Sequence, residues 1–406
     1  MFLGPVVRTL HRVVWLAAIP LLIWVYLLGF RGGFWLTGVR LPIVAEPSSW
    51  PSVAVVVPAR DEESVLGASL PTLLVQDYPG PMRVVVVDDR STDGTAELAR
   101  RLGEQPAARF VPLVLPGEEP PPGWSGKLWA LAQGVRVVSS AGPGLTVPDG
   151  SPAPEFLLLT DADIAHPPSS LRRLVAWAES TRLDQVSLMA RLRVDTGWER
   201  LLIPAFVYFF AELYPFRWVN RRGRKTAAAA GGCVLVRRHA LERAGGISAI
   251  RGAVIDDVAL AKALKASGSA VWIGLADEVR SVRPYDGLRD LWDMVARSAY
   301  TQLGFSVLLL MGTIAGLAVT FLGPIAAVIG GLVAGSPVVI VIGVAAVLAM
   351  ELSYLPMMRY HHLGPWRAAG LPVAACLYGA MTVTSAQRHY RKGVAWKGRR
   401  YGALSE

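Results

Sequence analysis

Cysteine is almost absent from this chain. Its 406 residues include two, Cys233 and Cys376. They lie far apart and match no metal or redox spacing. Both read as reduced packing residues, compatible with a cytoplasmic catalytic domain. Charge is also scarce, at 18% against 52% hydrophobic residues, and mean hydropathy is +0.39. Such a balance excludes an ordinary soluble enzyme and points to a membrane protein. Acids are the scarcer sign, and the formal net charge is +10. That excess reads as the positive flanks of membrane segments and attraction to membrane lipids. No helix or sheet motif is built to read bases, so nucleic acid is not an expected partner.

What is present is organised around Phe156 to Ile164. The apolar run Phe156 to Leu159 reads as a buried strand. It ends in Asp161 and Asp163, which point to one side of an extended chain. Two carboxylates so placed repel unless a cation separates them, and hard oxygen ligands suit Mg²⁺ or Mn²⁺. A metal of this kind keeps positions for phosphate oxygens, so a nucleotide diphosphate is the natural ligand. An Asp-x-Asp alone is also a common solvated turn. Its neighbours decide between the two.

Val53 to Ala59 is a continuous buried strand that runs into Arg60, Asp61, Glu62 and Glu63. Val84 to Val87 is another, ending in Asp88 and Asp89, with a helix from about Thr95 to Leu102. Strands without polar alternation, separated by helical stretches, predict a parallel sheet covered on both faces. Ligands bind beyond the carboxyl ends of such strands. Three successive strands place acids there, and this convergence demands a cation or a hydrogen-bonding ligand. Lys127 follows Gly126 at the start of a helix reaching about Val138, a position suited to phosphate. The Gly/Pro/Ser-rich segment Ser139 to Pro154 reads as a mobile insertion. A helix is expected from Ser169 to Glu179, and a strand from Val186 to Val194. Gly231 and Gly232 allow close backbone approach to a ligand. Asp256 and Asp257 begin an amphipathic helix, where one is expected to cap and the other to act as a base. Arg280 and Arg283 precede the segment that contains Arg289, Arg297 and Tyr300.

The flanks are membrane-like. Val13 to Phe30 reads as an uncleaved anchor rather than a signal peptide. Residues 201–219, rich in aromatics and interrupted by Pro204 and Pro215, are expected to form an interfacial helix. Phe305 to Leu322, about Val338 to Leu355 and about Ala368 to Ala386 read as spans, with 324–334 extending the first. The tail from Arg388 to Arg400 is basic and should face the cytoplasm. A cytoplasmic domain with three spans after it would leave that tail outside. One segment is therefore expected to cross differently or to be re-entrant.

In order along the chain, Pro-Ala-Arg-Asp-Glu, Val-Asp-Asp-Arg-Ser-Thr-Asp, Gly-Lys-Leu-Trp-Ala-Leu, Thr-Asp-Ala-Asp, Gly-Gly-Cys-Val-Leu-Val and Ile-Asp-Asp resemble the motifs of family 2 glycosyltransferases with the GT-A fold. The Trp-Ser-Gly-Lys-Leu-Trp-Ala, Tyr-Pro-Phe-Arg-Trp-Val-Asn and Thr-Ala-Ala-Ala-Ala-Gly-Gly-Cys stretches are more narrowly similar to the bacterial hopene-associated glycosyltransferases, relatives of ceramide glucosyltransferases. The resemblance implies an α/β, Rossmann-like, mostly parallel GT-A domain at 50–303. Around it would lie an N-terminal membrane anchor at 1–40, transmembrane helices at 304–387 and a basic cytoplasmic tail at 388–406. It implies a multi-pass protein of the bacterial inner membrane with its catalytic domain in the cytoplasm.

By the same resemblance, a metal-dependent inverting transfer moves sugar from a UDP-sugar to a lipid acceptor, with a hopanoid the specific expectation. Asp161 and Asp163 match the metal-diphosphate motif. Asp88 or Asp89, with Ala59, Asp61 and Glu62, would hold base and ribose, and Lys127 would lie beside the nucleotide. Asp257 matches the general base. Arg297 keeps the first position of a Gln/Arg-x-x-Arg-Trp motif whose Arg-Trp is absent here. That loss argues against a processive polysaccharide synthase, one alternative within the superfamily. A non-catalytic membrane scaffold with a degenerate domain is the other.

Overall fold

The computed structural model describes residues 3–139, 153–392, 394–396 and 399–401. Most of the expected insertion between Ser139 and Pro154 lies outside the described residues. The chain divides into two compact units. Among the described residues, one is a sheet unit of 38–139, 153–193 and 218–284, and the other is a helical unit of 3–37, 194–217, 285–392, 394–396 and 399–401.

The sheet unit is built on eight strands, namely β1 (Val53–Ala59), β2 (Met82–Asp88), β3 (Leu113–Pro116), β4 (Phe156–Thr160), β5 (Ile164–Ala165), β6 (Gln185–Arg191), β7 (Cys233–Arg237) and β8 (Val271–Ser281). Their spatial order is β3-β2-β1-β4-β7-β6-β8-β5. The first four in that order are parallel, with Ala59 paired to Asp88 and Val56 to Leu159. β7 runs antiparallel to both β4 and β6, and β6 is parallel to β8. This is the mostly parallel α/β GT-A-like sheet expected.

The valine runs fold this way because both faces of the strands are covered. Val53 through Val57 are at most 1% exposed. Each valine side chain among them contributes about 1.5–3 kcal/mol on leaving water. Leu66, Leu70, Leu73 and Leu74 of the helix Glu63–Leu74 join β1 and β2 residues in one core. On the other face the helix Gly126–Ser139 lies very close to the sheet. A Cβ on Gly134 would come within 2.4 Å of Val56 Cγ1. The strand expected to reach Val194 stops at Arg191. Its continuation instead forms a capping box, in which the Asp195 and Thr196 N–H groups both donate to Glu199 Oε2 at 2.8 Å.

Among the described residues of the helical unit, three helices are long and apolar enough to cross a membrane, Val307–Val333, Pro337–Tyr360 and Pro365–Arg391. The first absorbs the expected extension at 324–334. A π-helical turn, Ala318–Leu322, joins its halves, and Pro324 falls at the first turn of the second half, where its missing N–H costs little. Trp24 Nε1 donates to the Thr320 carbonyl in that turn at 2.9 Å. The N-terminal helix runs from Leu3 to Phe30, and its apolar stretch Val14–Phe30 is shorter than the three. Residues 201–219 form the helix Gly197–Leu213 and, beyond Pro215, a short helix Phe216–Val219. The longer one buries Leu202, Ile203, Val207 and Tyr208 within the helical unit. Tyr208 shares a hydrogen bond with Ser353 at 2.6 Å, and Tyr378 donates to the Leu202 carbonyl at 2.9 Å.

Candidate active site

Because β1, β2 and β4 are parallel and adjacent, their carboxyl ends bring three acidic loops to one edge. Two of the loops are bolted together. Asp61 takes a left-handed backbone (φ 50°), which Asp tolerates better than most residues. Its Oδ1 accepts the Thr92 N–H at 2.7 Å, and its own N–H donates to Ser91 Oγ at 3.0 Å. The Arg60 guanidinium donates to the Asp89 carbonyl at 2.8 Å and lies 3.7 Å from the buried Asp89 carboxylate. The Ala59 carbonyl accepts the Asp89 N–H at 2.7 Å. Ala59, Asp61 and Asp89 thus shape the loops. Asp88 differs, since its Oδ1 is buried and receives no hydrogen bond among the described residues. A buried acceptor without a donor is costly, so rotation of this side chain toward a ligand N–H or O–H would be favoured.

Protein cations separate the acids. Lys127 Nζ is 2.7 Å from Asp161 Oδ1 and 3.1 Å from Asp256 Oδ2. Burial works against its charge, but the two carboxylates outweigh that and raise its pKa. The Asp161 pKa is raised, first by burial and then by nearby Asp163 and Asp256, against the pull of Lys127. Arg283, just beyond β8, makes the second bridge. Its Nε is 3.0 Å from Asp163 Oδ2 and its Nη2 is 2.5 Å from Glu62 Oε2. Ser281 Oγ also donates to Asp163 Oδ2 at 2.9 Å. Arg283 was visible in the sequence but carried no expected role, since nothing local marks it.

The acidic pair at the start of Asp256–Ala266 does not cap in the expected way. Ile255 is the N-cap, and it makes no side-chain cap hydrogen bond. Asp256 pairs with Lys127, and Asp257 Oδ2 accepts the Gly231 N–H at 2.9 Å. Asp257 Oδ1 accepts the Val258 N–H at 2.7 Å. A Cβ on Gly231 would stand 3.4 Å from Lys127 Nζ and 3.5 Å from Asp257 Cβ. Burial, then the charge of Asp256, pushes the Asp257 pKa up to about 7, against Lys127 and the two N–H groups.

Behind the edge, buried His166 shares a 2.9 Å hydrogen bond with Thr160 Oγ1, which donates to the Gly232 carbonyl at 2.7 Å. This pair ties the strand before Asp161 to the turn beside Gly231. Arg297, by contrast, lies in the helical unit, just past the helix Leu288–Ala296. Among the described residues no group of three or more His, Cys, Asp or Glu side chains is arranged to hold a metal. The carboxylates whose chemistry suits a hard divalent ion are Asp161 and Asp163, as a pair.

A model of the family described as glycosyltransferase like family 2 matches residues 51–300. Among curated proteins, the undecaprenyl-phosphate 4-deoxy-4-formamido-L-arabinose transferase of Pseudomonas savastanoi pv. phaseolicola is 27% identical over 154 residues, 36% of this chain and 38% of that protein. The 4,4'-diaponeurosporenoate glycosyltransferase of Staphylococcus aureus is 37% identical over 84 residues, 21% of this chain and 20% of that protein. The chain thus spans about two fifths or less of the length of these relatives. Among solved structures, the mannosyltransferase PcManGT from Pyrobaculum calidifontis, in complex with GDP-Man and Mn²⁺, matches with a TM-score of 0.51 and 21% identity. That match covers 93% of this chain and 99% of the other.

Proposed function

The chain belongs to the family described as glycosyltransferase like family 2, and from that premise we propose that it is a membrane-bound, inverting glycosyltransferase. The donor is a nucleotide sugar, UDP-linked by the sequence resemblance, and the acceptor is a hydroxyl on an apolar lipid. The observation that carries this reading is Asp257. It is a part-buried carboxylate held by two backbone N–H groups, with its pKa raised to about 7. A base poised near neutrality suits proton removal from an alcohol.

In this reading Asp257 takes the proton of the acceptor hydroxyl as its oxygen attacks the anomeric carbon. The bond to the diphosphate breaks on the opposite face, so the anomeric centre inverts. Asp161 Oδ1 and Asp163 Oδ2 are held by Lys127 and Arg283, which leaves the other oxygen of each carboxylate for Mg²⁺ or Mn²⁺. Two carboxylates plus diphosphate oxygens form a donor set these ions accept. The ion, when bound, neutralises charge on the departing diphosphate. Lys127 adds fixed positive charge beside that group, and Asp88 Oδ1 offers an acceptor to the nucleoside. The relative solved with GDP-Man and Mn²⁺ supports a nucleotide sugar and a metal. Relatives named for undecaprenyl phosphate and 4,4'-diaponeurosporenoate support a lipid acceptor, while the hydroxyl as its nucleophile rests on Asp257 as the base. The hopanoid rests on the resemblance of the sequence motifs.

The test is UDP release by the full chain in detergent, with Mn²⁺ or Mg²⁺, across a panel of UDP-sugars and bacterial lipid extract. Lipid-dependent release with one sugar, abolished by a chelator and restored by the metal, is the expected result. No release and no nucleotide binding with any sugar would overturn the reading.

A further inference from the structure

Between the short helix Phe216–Val219 and the buried run Ala227–Ala230 the chain makes a loop whose exposed charges are all positive. Arg221, Arg222, Arg224 and Lys225 are exposed there. Arg222 Nη2 donates to the carbonyl of Arg182 at 3.2 Å, which adds a fifth exposed cation alongside. None of the five forms an ion pair among the described residues. Elsewhere on the same unit arginines are matched. Arg172 lies 2.9 Å from Asp77, Arg237 lies 2.8 Å from Glu155, and Arg238 lies 2.5 Å from Glu242.

This loop is also held in shape. Lys265 Nζ donates to the carbonyls of Val219 and Thr226, 2.7 Å each, and so closes the neck. Asn220 donates to the Ile273 carbonyl at 3.0 Å and accepts the Ile273 N–H at 2.8 Å. The Arg224 N–H donates to the Arg221 carbonyl at 3.2 Å, and the Arg224 guanidinium lies over the Trp218 ring at 4.8 Å. Pinning the loop keeps these like charges close together, and an anionic surface would favour that arrangement.

We propose that this clamped basic loop docks onto the anionic headgroups of the bilayer. Chain continuity favours the bilayer as occupant. The loop follows within a few residues of the helix Gly197–Leu213, which belongs to the unit that holds the three membrane-length helices. Trp218 beside Arg224 is the aromatic-plus-cation pairing that membrane interfaces favour. Clustered lysine and arginine are drawn to anionic lipid within a Debye length. The proposal does not depend on the enzymatic reading.

The test uses the full chain in nanodiscs of phosphatidylcholine alone or with added phosphatidylglycerol, and reads the rate of amine-reactive labelling of Lys225. Lys262, exposed on the helix Asp256–Ala266 of the same unit, is the internal control. We expect labelling of Lys225 relative to Lys262 to fall several-fold in anionic nanodiscs. High salt, or the R221Q/R224Q variant, should restore it. An equal Lys225 to Lys262 ratio in both lipids would overturn the proposal. So would protection in pure phosphatidylcholine by an added oligonucleotide or acidic peptide, with none from anionic lipid.

Discussion

The Lys127 ammonium stands between Asp161, at 2.7 Å, and Asp256, at 3.1 Å, and so joins the acidic end of β4 to the first turn of the helix that carries Asp257. Its positive charge lowers the pKa of Asp257 against burial and Asp256. Replacement by Met removes that charge, so the Asp257 pKa must rise. The acid limb of the pH–rate profile of UDP release should move to higher pH. Each unit of movement means a loss of about tenfold at a pH below both limbs, because the ionised fraction falls tenfold. A limb that stays in place would separate Lys127 from the base.

Asp257 itself sets the pH dependence. Only the ionised form accepts a proton, so activity should rise through about pH 7. Asp257→Asn should lower transfer by about 10²–10⁴-fold while nucleotide binding, read by calorimetry, persists. Stability runs the other way. The folded pKa is raised from 3.8 to about 7, so the native state binds more protons in that window. Stability is then greatest below it and declines as pH rises from about 4 to about 7. The Asn variant should lack this decline in thermal unfolding scans taken across the window.

Arg283 is a positioning residue. It holds Glu62, which is 7% exposed, and Asp163. Arg283→Ala removes the cation that both carboxylates share and should cost about 1–3 kcal/mol, as loss of a charge-assisted hydrogen bond at a buried carboxylate does. Arg283→Lys keeps the charge but not the fork that spans two carboxylates. We expect Lys to recover thermal stability in part, with the KM for the nucleotide sugar raised more than kcat is lowered. Full recovery of both by Lys would show that charge alone suffices.

Gly134 sets how closely its helix lies on the sheet. Ala at this position would overlap Val56 Cγ1, and Val87 Cγ2 at 3.1 Å. Overpacking of a filled interior costs about 1–3 kcal/mol. The melting temperature of Gly134→Ala should fall accordingly, and a paired Val56→Ala should restore part of it by making room.

The strands were legible because their signal is local. Buried parallel strands must be apolar on both faces, and Val53–Val57, Val84–Val87 and Phe156–Leu159 are. Their acidic ends follow directly in the chain, so the edge where Asp61, Asp88 and Asp161 gather was visible as a pattern. The helix at Lys127 was visible from its glycine and proline punctuation. The strand after Asp184 was read too long because the capping box of Thr196 and Glu199 draws the chain out of the sheet. The helix within 201–219 begins earlier, at Gly197, for the same reason.

By itself the sequence determined which residue types stand at which strand ends, and which runs are apolar enough to leave water. Those are properties of neighbours along the chain. Only the tertiary structure decided which charges meet. Arg283 reaches Glu62 across a separation of 221 residues, and Gly231 turns its N–H to Asp257 across 26. Asp88, Asp89 and Asp61 look alike as letters. In the fold Asp89 and Asp61 lock loops together, while Asp88 keeps a buried oxygen without a donor among the described residues. Partnership of this kind depends on distance and direction in space, to which chain order is blind.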